Sequence, residues 1–190
     1  MTTTTPSRPR INLNLTCPMS IASEIGLNTS QTNENALNNY VYEKFKEWGF
    51  VPFSKTLFPV NKNLALYPSD EKLTQAIVKS FFLSFNEEFG EPSKEKLDAS
   101  SIAIRMEYPG QISRGALNTH VVQELKKLGL TPYQGRHGAI SLGIGLNIFD
   151  GGVYPTNNPI VKRIIRVFFK DIQGQGFDEK AEKYAIKISA

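Results

Sequence analysis

The chain is poor in the residues on which most enzyme and metal sites depend. Its 190 residues include one cysteine, Cys17, and two histidines, His120 and His137. A single cysteine excludes an internal disulfide framework and every multi-cysteine zinc pattern, and it fits a reducing compartment. No His, Cys or Asp pair has a metal-ligand spacing, so neither a metal nor a cofactor is expected. Long apolar runs are missing as well: every block falls short of the roughly 18 residues that suggest a membrane span. A soluble, cytoplasmic protein that binds no membrane is the expectation. The opening "MTTTTPSRPR" lacks the apolar stretch of a secretory signal and meets no acid before Glu24. A disordered arm, an organellar targeting segment and a basic arm that touches a partner all fit those residues.

What is present is enough material for a core. A chain of this length buries about 70 % of its unfolded surface, so one compact domain over 10–190 is expected behind a flexible arm at 1–9. Apolar periodicity supplies the elements. "RINLNLTC" (10–17) alternates as a strand does, and Leu37, Val41, Phe45 and Trp48 recur at helical spacing up to Gly49. "FVPF" and "LFPV" suit edge strands or turns, and "NLALY" (63–67) a short strand. Ser69 before Asp70 and Glu71 predicts a helix start, with an apolar stripe from Leu73 through Phe85 to Phe89. "SIAIRMEY" (101–108) alternates and predicts a strand, and Asn118 or Thr119 is expected to cap a short helix closed by Gly129. "AISLGIGLNI" (139–148) reads as a ribbon with one nearly bare face, onto which a helix, a ligand or another subunit could pack closely. Asn158 and Pro159 open a further helix, and "EKYAIKIS" reads as a last strand. No stretch repeats at a fixed period. Strands interleaved with helices give an α+β fold: a mixed or antiparallel sheet with helices on at least one face.

Charge is unevenly spread. Residues 1–95 carry nine Lys or Arg against ten Asp or Glu, a balance of −1, and residues 96–190 carry thirteen against eight, or +5. The window 105–170 holds nine cations and three acids, which points to an anionic partner. On the helix "PIVKRIIRVFFKDI", Lys162, Arg166 and Lys170 stand one turn apart with Arg163 alongside. Steps of roughly 6 Å along a helix are a fair match to successive phosphates of a single strand. An ordinary solvated helix face has the same pattern. In "TPYQGRHG" (131–138), Tyr133 can stack a base and Arg136 can fork onto a phosphate.

From Leu117 to Ile172 the order helix, "KKLGL", "GRHG", strand, turn, "VYP" and basic helix is similar to the small HicA-type toxin ribonucleases. In that family a Gly-Ser-His strand carries the active histidine. The likeness covers 56 of 190 residues, with Arg136 where the family has serine. It implies a ribonuclease in which His137 is the transferable catalytic residue, a general base for an RNA phosphodiester. Two motifs point away from other enzymes: "GIGLNI" lacks the third glycine of a dinucleotide fingerprint, and "AISLG" only half matches a nucleophile elbow.

Together these residues favour a non-enzymatic protein that binds single-stranded RNA or DNA, self-assembling as a viral nucleoprotein or coat subunit does. Tyr133, Arg136, Lys162, Arg163, Arg166 and Lys170 are its expected contacts. The phosphodiesterase with His137 and a protein-only scaffold are the alternatives.

Overall fold

The structure, a computed structural model, describes residues 14–53, 61–108, 113–133 and 152–174. It has an α+β architecture. Along the chain run β1 (Leu15–Thr16), α1 (Pro18–Glu24), α2 (Glu34–Glu47), β2 (Phe50–Pro52), a 3₁₀ turn (Lys62–Leu64), β3 (Tyr67–Pro68) and α3 (Lys72–Leu83). There follow β4 (Lys96–Leu97), α4 (Ala99–Arg105), α5 (Arg114–Lys127), β5 (Leu130–Pro132), β6 (Tyr154–Pro155) and α6 (Pro159–Gly174). Among the described residues the strands form three antiparallel two-stranded ladders, β1 with β3, β2 with β5 and β4 with β6.

That order is one unit written twice. Among the described residues, 14–83 and 95–170 share the succession strand, helix, helix, strand, strand, helix, and the backbone repeats its bonds position by position. Ile21 N and Ile102 N donate to Cys17 O and Asp98 O; Leu27 N and Tyr108 N to Ala22 O and Ala103 O; Ser69 N and Thr156 N to Asn14 O and Glu95 O. Both short helices leave through a residue at positive φ, Gly26 at 81° and Glu107 at 65°. Both long helices end on a positive-φ glycine, Gly49 at 89° and Gly129 at 73°, a C-terminal conformation that glycine adopts without a Cβ clash. Asn33 and Ser113 cap those helices identically, accepting from Ala36 N and Ala116 N.

The copies meet at β2 and β5. Phe50 pairs with Pro132, Val51 with Thr131 and Pro52 with Leu130. Val51 and Thr131 occupy the same position in their copies, so an approximate local twofold runs through that pair. Beyond the strands the bonds are again reciprocal: Phe53 N donates to Gly129 O at 2.7 Å and Tyr133 N to Gly49 O at 2.8 Å.

One apolar cluster takes side chains from both copies, including Ile21, Leu37, Phe45, Trp48, Ile77, Ile102, Leu125, Tyr154 and Ile165. Each large side chain so buried contributes about 1.5–3 kcal/mol. Ring packing repeats too. Tyr40 meets Phe81 at 5.3 Å and its counterpart His120 meets Phe168 at 4.8 Å.

Several expectations from the sequence are corrected. The absence of a fixed period concealed a duplication whose spacing drifts, 81 residues over the first helices and 87 over the last, because the connections differ in length. "SIAIRMEY" is not a strand: Ala99–Arg105 is helical, started by Asp98, whose carboxylate accepts from Ser101 N at 2.9 Å. Its Ile102 is buried and Ile104 is 62 % exposed. Ser69 does not cap α3; its amide extends the β1–β3 ladder and Glu71 takes the cap position. That helix stops at Leu83, where Ser84 turns left-handed, so Phe85 and Phe89 lie beyond it. Within 63–67, Asn63 and Leu64 belong to the 3₁₀ turn, Ala65 and Leu66 are irregular, and only Tyr67 is in a strand. The cap of α5 is Ser113, while Asn118 lies inside the helix, its side chain accepting from Ser100 N. Of 10–17 only Leu15–Thr16 is strand among the described residues. The ribbon 139–148, the strand expected in "EKYAIKIS" and the arm at 1–9 lie outside the described residues.

Candidate nucleic-acid interface

The basic helix α6 is fixed at its start by Asn158, whose side chain is fully buried. Its Oδ1 accepts from Ile160 N at 3.1 Å and Val161 N at 3.0 Å, and its Nδ2 donates to Trp48 O of the other copy at 2.7 Å. This N-cap therefore also sets the rotation of the helix. Ile160, Val161, Ile164, Ile165, Phe168 and Phe169 are turned inward. Lys162, Arg166 and Lys170 follow on the other side, Arg166 and Lys170 exposed and Lys162 partly so.

Arg163 is not part of that row. Its guanidinium forks onto Glu71, Nη1 to Oε2 at 2.8 Å and Nη2 to Oε1 at 2.7 Å, and joins the two copies. Its charge is already met, and the Glu71 carboxylate holds its pKa above the ordinary value. Other cations of the basic window are likewise paired: Arg105 with Glu95, Arg114 with Asp98 and Lys127 with Glu124. Lys162, Arg166 and Lys170 form no ion pair among the described residues.

The duplication gives this helix an internal reference. Lys162, Arg163, Arg166 and Lys170 correspond to Gln75, Ala76, Lys79 and Leu83 of α3. Over the whole unit, residues 14–83 hold six cations and six acids, whereas 95–170 hold ten and five. The charge asymmetry of the sequence is thus an asymmetry between two copies of one fold. Since α3 forms with one cation in the three row positions, the fold does not need all three.

Tyr133 follows β5, half-buried. Lys46 Nζ lies over its ring at 5.0 Å and over Tyr42 at 5.9 Å, and donates to Glu43 at 3.2 Å. Glu43 also takes Lys62 at 2.6 Å. The ring is held in a closed cluster, not presented beside a free cation. Arg136 and His137 lie outside the described residues, as does any meeting of the two histidines. His120 sits in an aromatic packing position that Tyr40 fills in the first copy, which has no histidine at all.

A polar cluster surrounds Asp98. Burial alone would raise its pKa, but hydrogen bonds from Arg114 Nε at 2.6 Å, Ser101 N and Asn118 Nδ2 outweigh that and bring it down to about 2. Sequence reasoning missed this cluster; the signal available was Asp98 three residues before Ser101, a capping pattern. Among the described residues no group of three or more His, Cys, Asp or Glu could hold a metal ion. No described helix is long and apolar enough to cross a membrane. No protein-family model matches the chain, and neither a curated protein nor a solved structure matches it.

Proposed function

We propose that the protein binds single-stranded nucleic acid through the exposed side of α6 and leaves the strand intact. One observation carries the reading: Lys162, Arg166 and Lys170, at helical steps of roughly 6 Å, form no ion pair among the described residues, where the first copy has Gln75, Lys79 and Leu83. Cations that the fold does not require are available to neutralise phosphates, with release of counterions as the driving force. Contacts to phosphates carry no sequence preference, so neighbouring stretches of a strand are equivalent sites. Repeated copies along one strand, in the manner of a nucleoprotein, belong to this reading, as do a soluble protein and a cytoplasmic setting. Tyr133 and Arg163 leave the set of contacts proposed here, because each is already engaged within the protein. The test is retention of labelled single-stranded RNA and DNA at low salt by the wild type and by a variant with Lys162→Gln, Arg166→Gln and Lys170→Gln. Loss of retention with the strand uncut is the expected result, and unchanged retention overturns the assignment.

A further inference from the structure

The twofold between the copies leaves two equivalent aromatic and cationic contacts at the ends of the β2–β5 ladder. Alternation buries Phe50, Pro52 and Leu130 and places Val51, Phe53, Thr131 and Tyr133 on the other side, each only partly buried. Phe53 and Tyr133 are equivalent positions, and each ring lies under the lysine that ends the other copy's long helix. Lys126 Nζ is 5.4 Å from the Phe53 centroid and Lys46 Nζ is 5.0 Å from that of Tyr133.

The two ends have diverged. At Tyr133 the lysine is held by Glu43 and shared with Tyr42, and Glu43 in turn holds Lys62. At Phe53 the positions of Tyr42 and Glu43 are taken by Val122 and Gln123. Lys126 is exposed and forms no ion pair among the described residues, the neighbouring Glu124 being used by Lys127 at 2.6 Å. Nothing described anchors the Lys126 ammonium except the ring beneath it. A flexible four-carbon stem lets it swing off that ring, uncovering a π-face and carrying its charge to a nearby phosphate.

We infer that Phe53 and Lys126 form a second contact for the strand, the ring stacking one base and the ammonium meeting the adjoining phosphate. This rests on the nucleic-acid reading above and assigns the stacking role to the residue that answers to Tyr133 in the other copy. Stacking on an aromatic ring tolerates every base, in keeping with phosphate contacts that read no sequence.

The experiment compares full-length wild type, Phe53→Leu, Lys126→Gln, Tyr133→Leu and the α6 triple variant for binding a fluorescent oligothymidylate across a salt series. Phe53→Leu is expected to weaken binding about tenfold with an unchanged salt slope, as loss of one stacked base does. Lys126→Gln is expected to make the slope of log K against log salt shallower by about 0.7, one phosphate's worth. Tyr133→Leu is expected to bind as the wild type does. Wild-type binding by both Phe53→Leu and Lys126→Gln, while the α6 variant has lost the strand, overturns this inference and spares the reading beneath it; a wild type that binds no strand overturns both. Equal weakening by Tyr133→Leu and Phe53→Leu also overturns it. Thermal melts accompany the series, and should Phe53→Leu fail to fold, the exposed Lys126→Gln decides alone.

Discussion

Replacing Asn158 by alanine tests whether one side chain both starts α6 and ties the copies together. Asn158 is fully buried and makes three bonds, to Ile160 N, Val161 N and Trp48 O. Losing an N-cap costs about 1 kcal/mol. Leaving the Trp48 carbonyl without its donor in a buried place adds about 1–3 kcal/mol, so Asn158→Ala is expected to cost about 3 kcal/mol. For a chain of this size about 2–4 °C of melting temperature goes with each kcal/mol, hence a fall of about 6–12 °C. Asn158→Ser separates the two contributions, because serine keeps an acceptor for the helix amides and loses the donor to Trp48. It should cost about 2 kcal/mol. Urea unfolding reads both variants through the fluorescence of Trp48, the single tryptophan, together with far-ultraviolet dichroism. A cost below about 1 kcal/mol for Asn158→Ala, or full stability in Asn158→Ser, would refute the argument that this residue couples the copies.

Two further outcomes follow from the geometry. Gly152 has φ +61°, and a Cβ there would lie 2.4 Å from the Cβ of Pro132; Gly152→Ala should therefore lower the melting temperature markedly, and a melt like the wild type's would show that β5 can shift at no cost. The Asp98 carboxyl titrates at about 2 in the folded protein against an ordinary 3.8. Its contribution to stability is complete above the ordinary value and disappears as pH falls towards 2. It amounts to about 1–2 kcal/mol once the solvent exposure of Arg114 is allowed for. Urea midpoints of Asp98→Asn should lose this acid-range slope, and an undiminished slope would place the titrating group elsewhere.

Much of this was legible in the residues and some was not. The helices α2, α3 and α6 declared themselves because their buried stripes recur every three or four positions and are broad. The short helix α4 was misread: residues 102 and 106 stand four apart, a helical step, but Ile104 between them completes a two-residue alternation, and the Asp98 cap decides between the two. The duplication was hidden for a related reason. Seven of eighteen positions are identical between 36–53 and 116–133, namely Ala, Leu, Asn, Val, Lys, Gly and Pro, but beyond the opening Ala-Leu-Asn they stand singly among unlike residues. The spacing then slips by seven residues between the last two strands. Charge segregation was visible in the sequence, yet which cations are free was not. Arg163 and Lys162 are neighbours in the chain, and only the fold brings Glu71, 92 residues away, to one of them.

Reactivity of individual lysines addresses the central claim, that the cations of α6 carry a strand and those of its counterpart α3 do not. Acetylation of the protein with and without a saturating single-stranded oligonucleotide, read peptide by peptide by mass spectrometry, reports each ammonium separately. Lys162 and Lys170 should become protected while Lys79, the counterpart of Arg166 on α3, stays as reactive as in the free protein. Equal protection of Lys79 and Lys170, or of neither, would contradict the account.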